Sequence, residues 1–390
     1  MTTSPVKHAN IPSLITMMHE LVSELSVSSA SDPLWDNSNI RVIEKLAHWL
    51  ENLGFRCEVL PLPNNPKKAN LVATLGNGPG GLVLSGHTDT VPFNEARWDS
   101  NPLAINERDQ KLYGLGATDM KGFFAIAIEA VKAFVDTPLK EPLIILATAD
   151  EESTMDGARA LVQQGYPKAR FAVIGEPTDL RPIRMHKGIM LNAINVMGRS
   201  GHSSNPALGN NALEAMHLVM SDLLTFRSEL QARYQNPLFE VNVPTMNLGC
   251  IHGGDNPNRI CGQCELHFDL RALPGMNSQE LQQQLQERLQ PLADTLAVNI
   301  SLRELTAAVE PFEEAADSEL IKTVEKLTGY QAEAVAFATE GPLLQQLGMQ
   351  TVVLGPGSID QAHQPNEFMA MNQIQPAIDI LQQLIRRYCL

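Results

Sequence analysis

The sequence predicts an α/β fold, a mostly parallel sheet flanked by helices, with a smaller α+β module inserted into it. Three observations carry this. Short apolar runs alternate with helical patterns through the first half of the chain, the alternation breaks down after about Gly188, and it resumes near the C-terminus. Strands buried on both faces and separated by helices make a mostly parallel sheet.

The elements follow in order. The stretch "MTTSPVKHANIPSLITMMHELVSEL" lacks the basic start and unbroken apolar core of a signal peptide, and reads as an amphipathic helix. "GLVLSG" (81–86) reads as a strand. Met120, Phe123, Phe124, Ala127, Ile128, Val131 and Phe134 recur at helical spacing and give a helix whose apolar stripe faces a sheet. "PLIILATA" (142–149) is a second apolar run, "DGARALVQQG" (156–165) a short helix closed by glycine, and "FAVIGEP" (171–177) a third strand. Beyond Gly188, "IMLNAINVMG", "FEVNVPTMNLG" and "CELHFDLRALP" read as strands. Two helices lie among them, "NNALEAMHLVMSDLLTF" and one carrying Leu281, Leu285 and Leu289. "TVVLGPG" (351–357) and a helix through "IDILQQLIRRY" return to the first style. The expected organisation is a catalytic domain from residues 1–188 and 305–390, with residues 189–304 inserted.

Bulk properties exclude several classes. The 390 residues suffice for two domains, since single cores stop growing near about 250–300 residues. No apolar segment reaches the roughly 18–20 residues a membrane span needs, so the cytoplasm is the expected location and no membrane partner is expected. A net charge of −15 without basic runs argues against nucleic acid. "GNGPGG" precedes a strand instead of linking strand to helix, so its glycines lack a phosphate-cradle context. Five cysteines are too few for a disulfide scaffold. Cys261 and Cys264 in "ICGQC" have the spacing of a zinc half-site, but Ile260, Cys264, Leu266, Phe268 and Leu270 alternate as in a strand, where residues three apart diverge.

Ligands of open parallel sheets bind beyond the carboxyl ends of the strands. Here those ends concentrate metal-ligand residue types. The first ends in His87 and Asp89, the second runs into Asp150, Glu151 and Glu152, the third ends in Glu176, and the last is followed by Asp360, His363 and Glu367. Asp119 stands just before the long helix, where it could equally be an N-cap. Taken singly, each is an ordinary surface residue; together at one sheet edge their carboxylates would repel, and divalent cations remove that penalty. Imidazole and carboxylate without thiolate suit zinc, cobalt or manganese. Two histidines and three carboxylates suffice for two metals if one carboxylate bridges, and such a pair turns a water into a nucleophile.

"SGHTDTVP", "GLGATDMKG", "DEES", "GEPT" and "HQPNE" resemble, in order, the motifs of the di-zinc aminoacylase/carboxypeptidase family of metallopeptidases. The resemblance covers nearly the whole chain. It implies a di-zinc exopeptidase-like fold with a lid or dimerisation domain in the inserted module, and a homodimer. It implies that His87, Asp119 and Glu176 hold one metal and that Asp119, Glu152 and His363 hold the other, two divalent ions with zinc expected and cobalt the alternative. Glu151 matches the general base, and Asp89 the carboxylate that orients His87. His202, in "GRSGHSSNP", matches a lid histidine that supplies an oxyanion donor and in relatives reaches the partner subunit's site. The implied substrate is a small N-acyl amino acid, and the implied reaction is amide hydrolysis. For its α-carboxylate Arg271 is the candidate cation, unless it pairs with Asp269 or Glu265. Asn258 could assist, and Glu340 in "ATEGP" could meet a substrate ammonium group. The chain departs from many members in carrying Leu115 where they have arginine.

Overall fold

The computed structural model describes residues 11–30 and 32–390. The first ten residues of the expected N-terminal helix lie outside the described residues. The helix itself runs Leu14–Ser23, and the Ser13 side chain caps it by accepting from the Thr16 amide. The chain forms two compact units. One comprises Met1–Arg184, Glu314–Glu333 and Thr339–Leu390; the other comprises Met185–Glu313 and Ala334–Ala338.

In the first unit a mixed sheet runs in the order Arg56–Leu62, Asn65–Leu75, Leu143–Thr148, Leu82–His87, Phe171–Pro177, Gln350–Gly355. The last four are mutually parallel, and the first two are an antiparallel hairpin added at one side. Strands Leu82–His87, Leu143–Thr148 and Phe171–Pro177 are buried at every residue, which is why they read as unbroken apolar runs. The hairpin and the helix Ile40–Asn52 gave no such signal.

The helix Lys121–Val131 buries more than the stripe its spacing suggested: only Glu129 is not fully buried. It packs between the helices Leu14–Ser23 and Ile374–Cys389. It also presses on the sheet at Gly175, where a Cβ would lie 2.2 Å from the Phe123 ring. Glycine at that position lets the helix approach the strand next to Glu176.

The second unit holds an antiparallel sheet in the order Thr245–Gly253, Gln263–Arg271, Met190–Met197, Asn299–Glu304. The helices Ala212–Arg233 and Ser278–Leu296 pack on it, with Met216, Val219, Leu223, Leu281, Leu285 and Leu289 meeting Leu266, Phe268 and Leu270 in one core. Two strands differ from expectation. The one anticipated at 239–249 starts only at Thr245, after Pro244, which has no amide to give a ladder. The one containing Cys264 starts at Gln263, so Cys261 precedes it, and both thiols sit in this core. Among the described residues, no helix is long and apolar enough to cross a membrane.

Candidate active site

Strand Leu82–His87 delivers His87 and strand Phe171–Pro177 delivers Glu176, both at their carboxyl ends. After strand Leu143–Thr148 the backbone turns at Asp150, which adopts a left-handed φ of 62°. The Asp150 carboxylate holds this turn: it accepts from Ser28 Oγ at 2.9 Å and pairs with Lys68, which also pairs with Asp36. Glu151 and Glu152 follow immediately. The N-cap of helix Lys121–Val131 is Met120, so Asp119 does not cap it. The Asp119–Met120 peptide is cis.

The two oxygens of Asp119 face two histidines. Oδ1 lies 3.0 Å from His87 Nε2 and Oδ2 lies 3.5 Å from His363 Nε2. Glu176 approaches the same His87 nitrogen at 3.5 Å, and Glu152 meets the same His363 nitrogen at 2.9 Å. Two groups of donor atoms are close enough to share an ion, His87 with Asp119 and Glu152, and His87 with Glu151 and Glu176. No cysteine joins either group. The donor set therefore fits divalent zinc, cobalt or manganese. His87, Asp119 and Glu176 are buried, whereas the His363 side chain is 54 % exposed and marks the open side.

The protonation pattern shows how costly the bare cluster is. Burial, then the charge of Glu176, pushes Glu151 well above the usual carboxylate range. Burial and the charge of Asp119 raise Glu176 and Glu152 likewise. Burial would lower His87, but Glu176, Asp119, Asp89 and Glu151 together hold it well above its ordinary value. The hydrogen bond to Glu152 raises His363 to about 9. Asp119 goes the other way: burial opposes its ionisation, and His87 and His363 bring it below the ordinary value. Opposite charge placed among these groups offsets the repulsion between their buried carboxylates.

Two carboxylates hold the cluster from outside. The Asp89 carboxylate accepts from the amides of Glu151 at 3.3 Å and Glu152 at 3.0 Å, while His87 Nδ1 bonds the Asp89 backbone carbonyl at 3.0 Å. The carboxylate itself stands 3.7 Å from that nitrogen. Asp89 thus orients His87 through its main chain and the Glu151–Glu152 turn through its side chain. Glu367 is nearly fully buried and accepts from the amides of Gly116, Thr118 and Asp119 at 3.0, 2.8 and 3.0 Å. A short pairing of Phe368–Ala370 with Lys111–Tyr113 brings it there. Burial and the charge of Asp119 push Glu367 up to about 8, against those three bonds. Glu367 closes the "HQPNE" stretch, but it joins neither donor group and only the strand pairing reveals its positioning role.

The remaining expected residues sort as follows. Asp360 is exposed and belongs to neither donor group. Glu340 is no strand end: it precedes the short helix Gly341–Gln346, is 1 % exposed and bonds Thr148. Burial pushes it up to about 7, and its charge acts on Glu151 and Glu176, which places it within the buried surroundings of the cluster. His202 and Asn258 lie in the second unit and are brought together there, the Ser203 amide bonding the Asn258 carbonyl at 3.0 Å. His202 is exposed, and its Nδ1 accepts from the Ser204 amide at 3.2 Å. Arg271, in the same unit, donates Nε to both oxygens of Asp269, at 3.0 and 2.9 Å. Beside His363, a cavity of about 250 Å³ is walled by Trp35, Phe93, Trp98 and Leu115, with Arg97 and Asn94 among its polar lining.

Residues 83–387 match the family described as Peptidase family M20/M25/M40. The chain belongs to this family. Two similar relatives are both named acetylornithine deacetylase. That of Pasteurella multocida (strain Pm70) is 49 % identical over 97 % of this chain and 99 % of its own length. That of Proteus mirabilis (strain HI4320) is 48 % identical over 97 % and 98 %. The fold is that of solved family structures. A metallo-carboxypeptidase of Sulfolobus solfataricus superposes with a TM-score of 0.75 at 17 % identity, covering 96 % of this chain and 99 % of that one. A dinuclear metal binding peptidase of Bacillus subtilis gives 0.68 at 15 %, covering 95 % and 96 %. Family membership makes the chain a metal-dependent hydrolase.

Proposed function

We propose that the chain hydrolyses N2-acetyl-L-ornithine to L-ornithine and acetate, as an enzyme of arginine biosynthesis. The observation that carries the metal part is the carboxylate of Asp119, whose two oxygens face His87 and His363. In this reading His87, Asp119 and Glu176 hold one divalent ion and Asp119, Glu152 and His363 the other, zinc with cobalt as the alternative. The ions would polarise the acyl carbonyl and make the attacking water acidic.

Glu151 accepts the proton of that water and returns it to the departing amine nitrogen. Its raised proton affinity suits both halves of the transfer near neutral pH. Asp89 fixes Glu151 through the backbone amide, and Glu367 fixes Asp119 through three amides. His202, contributed across a homodimer, is the proposed oxyanion donor, and Arg271 with Asn258 the proposed carboxylate site. Arg271 would exchange Asp269 for the substrate. The same reading makes the protein cytoplasmic.

The substrate assignment rests on the relatives' names and on Leu115. Leu115 lines the cavity beside His363. Apolar walls there suit the methyl of an acetyl group. The alternative is another deacylase, such as succinyl-diaminopimelate desuccinylase or a broad N-acyl-amino-acid deacylase. Comparing kcat/KM for N2-acetyl-L-ornithine and N-succinyl-diaminopimelate decides. We expect the acetyl substrate to be favoured by at least about 100-fold, roughly 2.7 kcal/mol of transition-state discrimination. Faster turnover of the succinyl substrate would replace this assignment with the desuccinylase one.

A further inference from the structure

The second unit carries a cluster of ligand-type side chains that the hydrolytic reaction does not use. It lies on the edge strand Thr245–Gly253 and its one neighbour in the sheet, Gln263–Arg271. Up to Leu248 the pairing puts Thr245 and Asn247 opposite Arg271 and Asp269. A one-residue register shift between Leu248 and Cys250 then changes which side chains share a face. Beyond it Cys250 stands opposite His267, and His252 opposite Glu265. Without the shift Ile251 would occupy that face, because each residue of slip turns a strand's side chains over. The irregularity therefore gathers Cys250, His252, His267 and Glu265 on the face opposite the one where Leu266 and Phe268 enter the core.

Directly opposite residues on one face have Cβ atoms about 4.5–5.5 Å apart, and residues two apart on a strand lie about 7 Å apart. The four side chains thus outline a rectangle; as they stand no three of their ligand atoms come close enough to share an ion, so an ion must draw His267 toward the Cys250–His252 pair. They already lean together: Cys250 Sγ is 2.9 Å from His252 Nε2, and the rings of His252 and His267 meet edge to face with centroids 6.3 Å apart. His267 Nε2 meets Glu265 Oε1 at 2.6 Å, and Arg303 donates to the same oxygen at 3.1 Å. A carboxylate on one imidazole nitrogen leaves the other for a metal, the arrangement that orients metal-bound histidines elsewhere. Tetrahedral zinc bonds of about 2.0–2.3 Å put neighbouring ligand atoms about 3.4–3.7 Å apart, so the sulfur–nitrogen pair needs to open only slightly. Cys250 and His252 are exposed, which gives an ion direct access.

We propose that Cys250, His252 and His267, with Glu265 supporting His267, bind a borderline-soft divalent transition metal of the zinc class. Binding releases the Cys250 thiol proton to solvent. The site differs chemically from the cluster around Asp119, which holds no thiolate, and it stands independently of the substrate assignment.

That difference supplies the test. Full-length protein is titrated with Co²⁺, and the near-ultraviolet thiolate-to-cobalt charge-transfer band is followed. The carboxylate and imidazole ligands around Asp119 cannot produce it. We expect a saturable band that is absent in Cys250→Ser, and a Co²⁺ affinity lower by at least about tenfold in His252→Ala and in His267→Ala. Thermal unfolding and circular dichroism of Cys250→Ser should equal those of the unmodified protein, which shows that the variant is folded. No band, a band that persists in Cys250→Ser, or a band indifferent to both histidine replacements would overturn the proposal.

Discussion

Replacing Glu367 by glutamine tests how the cluster is held in place. Glu367 Oε2 accepts from the Gly116 amide, and Oε1 accepts from Thr118 and Asp119. Glutamine keeps one carbonyl oxygen, enough for Thr118 and Asp119, but turns an NH₂ toward Gly116. One buried N–H is then left without an acceptor, at about 1–3 kcal/mol. Alanine orphans all three, about 3–9 kcal/mol by the same count. Because the amide of Asp119 is among them, the loss falls on the residue proposed to bridge the metals. Zinc affinity, measured by competition with a chelator, should fall about 10–100-fold in Glu367→Gln, as for other residues that support metal ligands. Thermal stability of the metal-free protein should fall less in Gln than in Ala. A Glu367→Gln protein with zinc affinity within twofold of the unmodified chain would refute the idea that this carboxylate positions Asp119.

Stability should depend on pH in a way that metal reverses. Glu151, Glu152 and Glu176 are raised above 4.5 and His363 is raised from 6.5 to about 9, so the metal-free folded state holds more protons than the unfolded chain. Its stability therefore falls as pH rises through that range, and the calorimetric gain on adding zinc should grow between about pH 5.5 and 8; a gain that shrinks would contradict this. Lys68→Met strands the Asp36 and Asp150 carboxylates and should cost about 3–5 kcal/mol in urea unfolding, while a loss under 1 kcal/mol would show that the buried pair is not holding the turn. Leu115→Arg places a cation in the wall of the cavity beside His363 and should lower kcat/KM for the acetyl substrate by about tenfold or more while raising it for the succinyl one; an unchanged ratio would remove the cavity from acyl selection.

The parallel strands were legible because burial on both faces leaves no polar alternation. Their ends exposed the cluster's residues for the same reason: His87, Glu151, Glu152 and Glu176 interrupt apolar runs abruptly. The hairpin Arg56–Leu62 with Asn65–Leu75 was not legible, since "RCEVLPL" and "NPKKANLVATL" mix lysines, prolines and half-exposed positions. Nor could Glu367 be distinguished from a loop carboxylate, because its partners lie about 250 residues away in the chain. Asp89 was identified from its spacing to His87, but its side chain serves the turn at Glu151 and Glu152, a contact between two loops. Glu340 and Arg271 illustrate the limit at the substrate end. Residue type suggested ligand contacts but could not show that Glu340 is buried or that Asp269 holds Arg271 when no substrate is present.

The most direct test of the central claim is metal content and acetylornithine hydrolysis of Glu151→Gln measured beside the unmodified protein. Glutamine keeps the shape of the side chain and removes its ability to carry the proton. The account predicts near-normal metal with activity lower by at least about 100-fold. Retained activity at normal metal content would contradict Glu151 as the base.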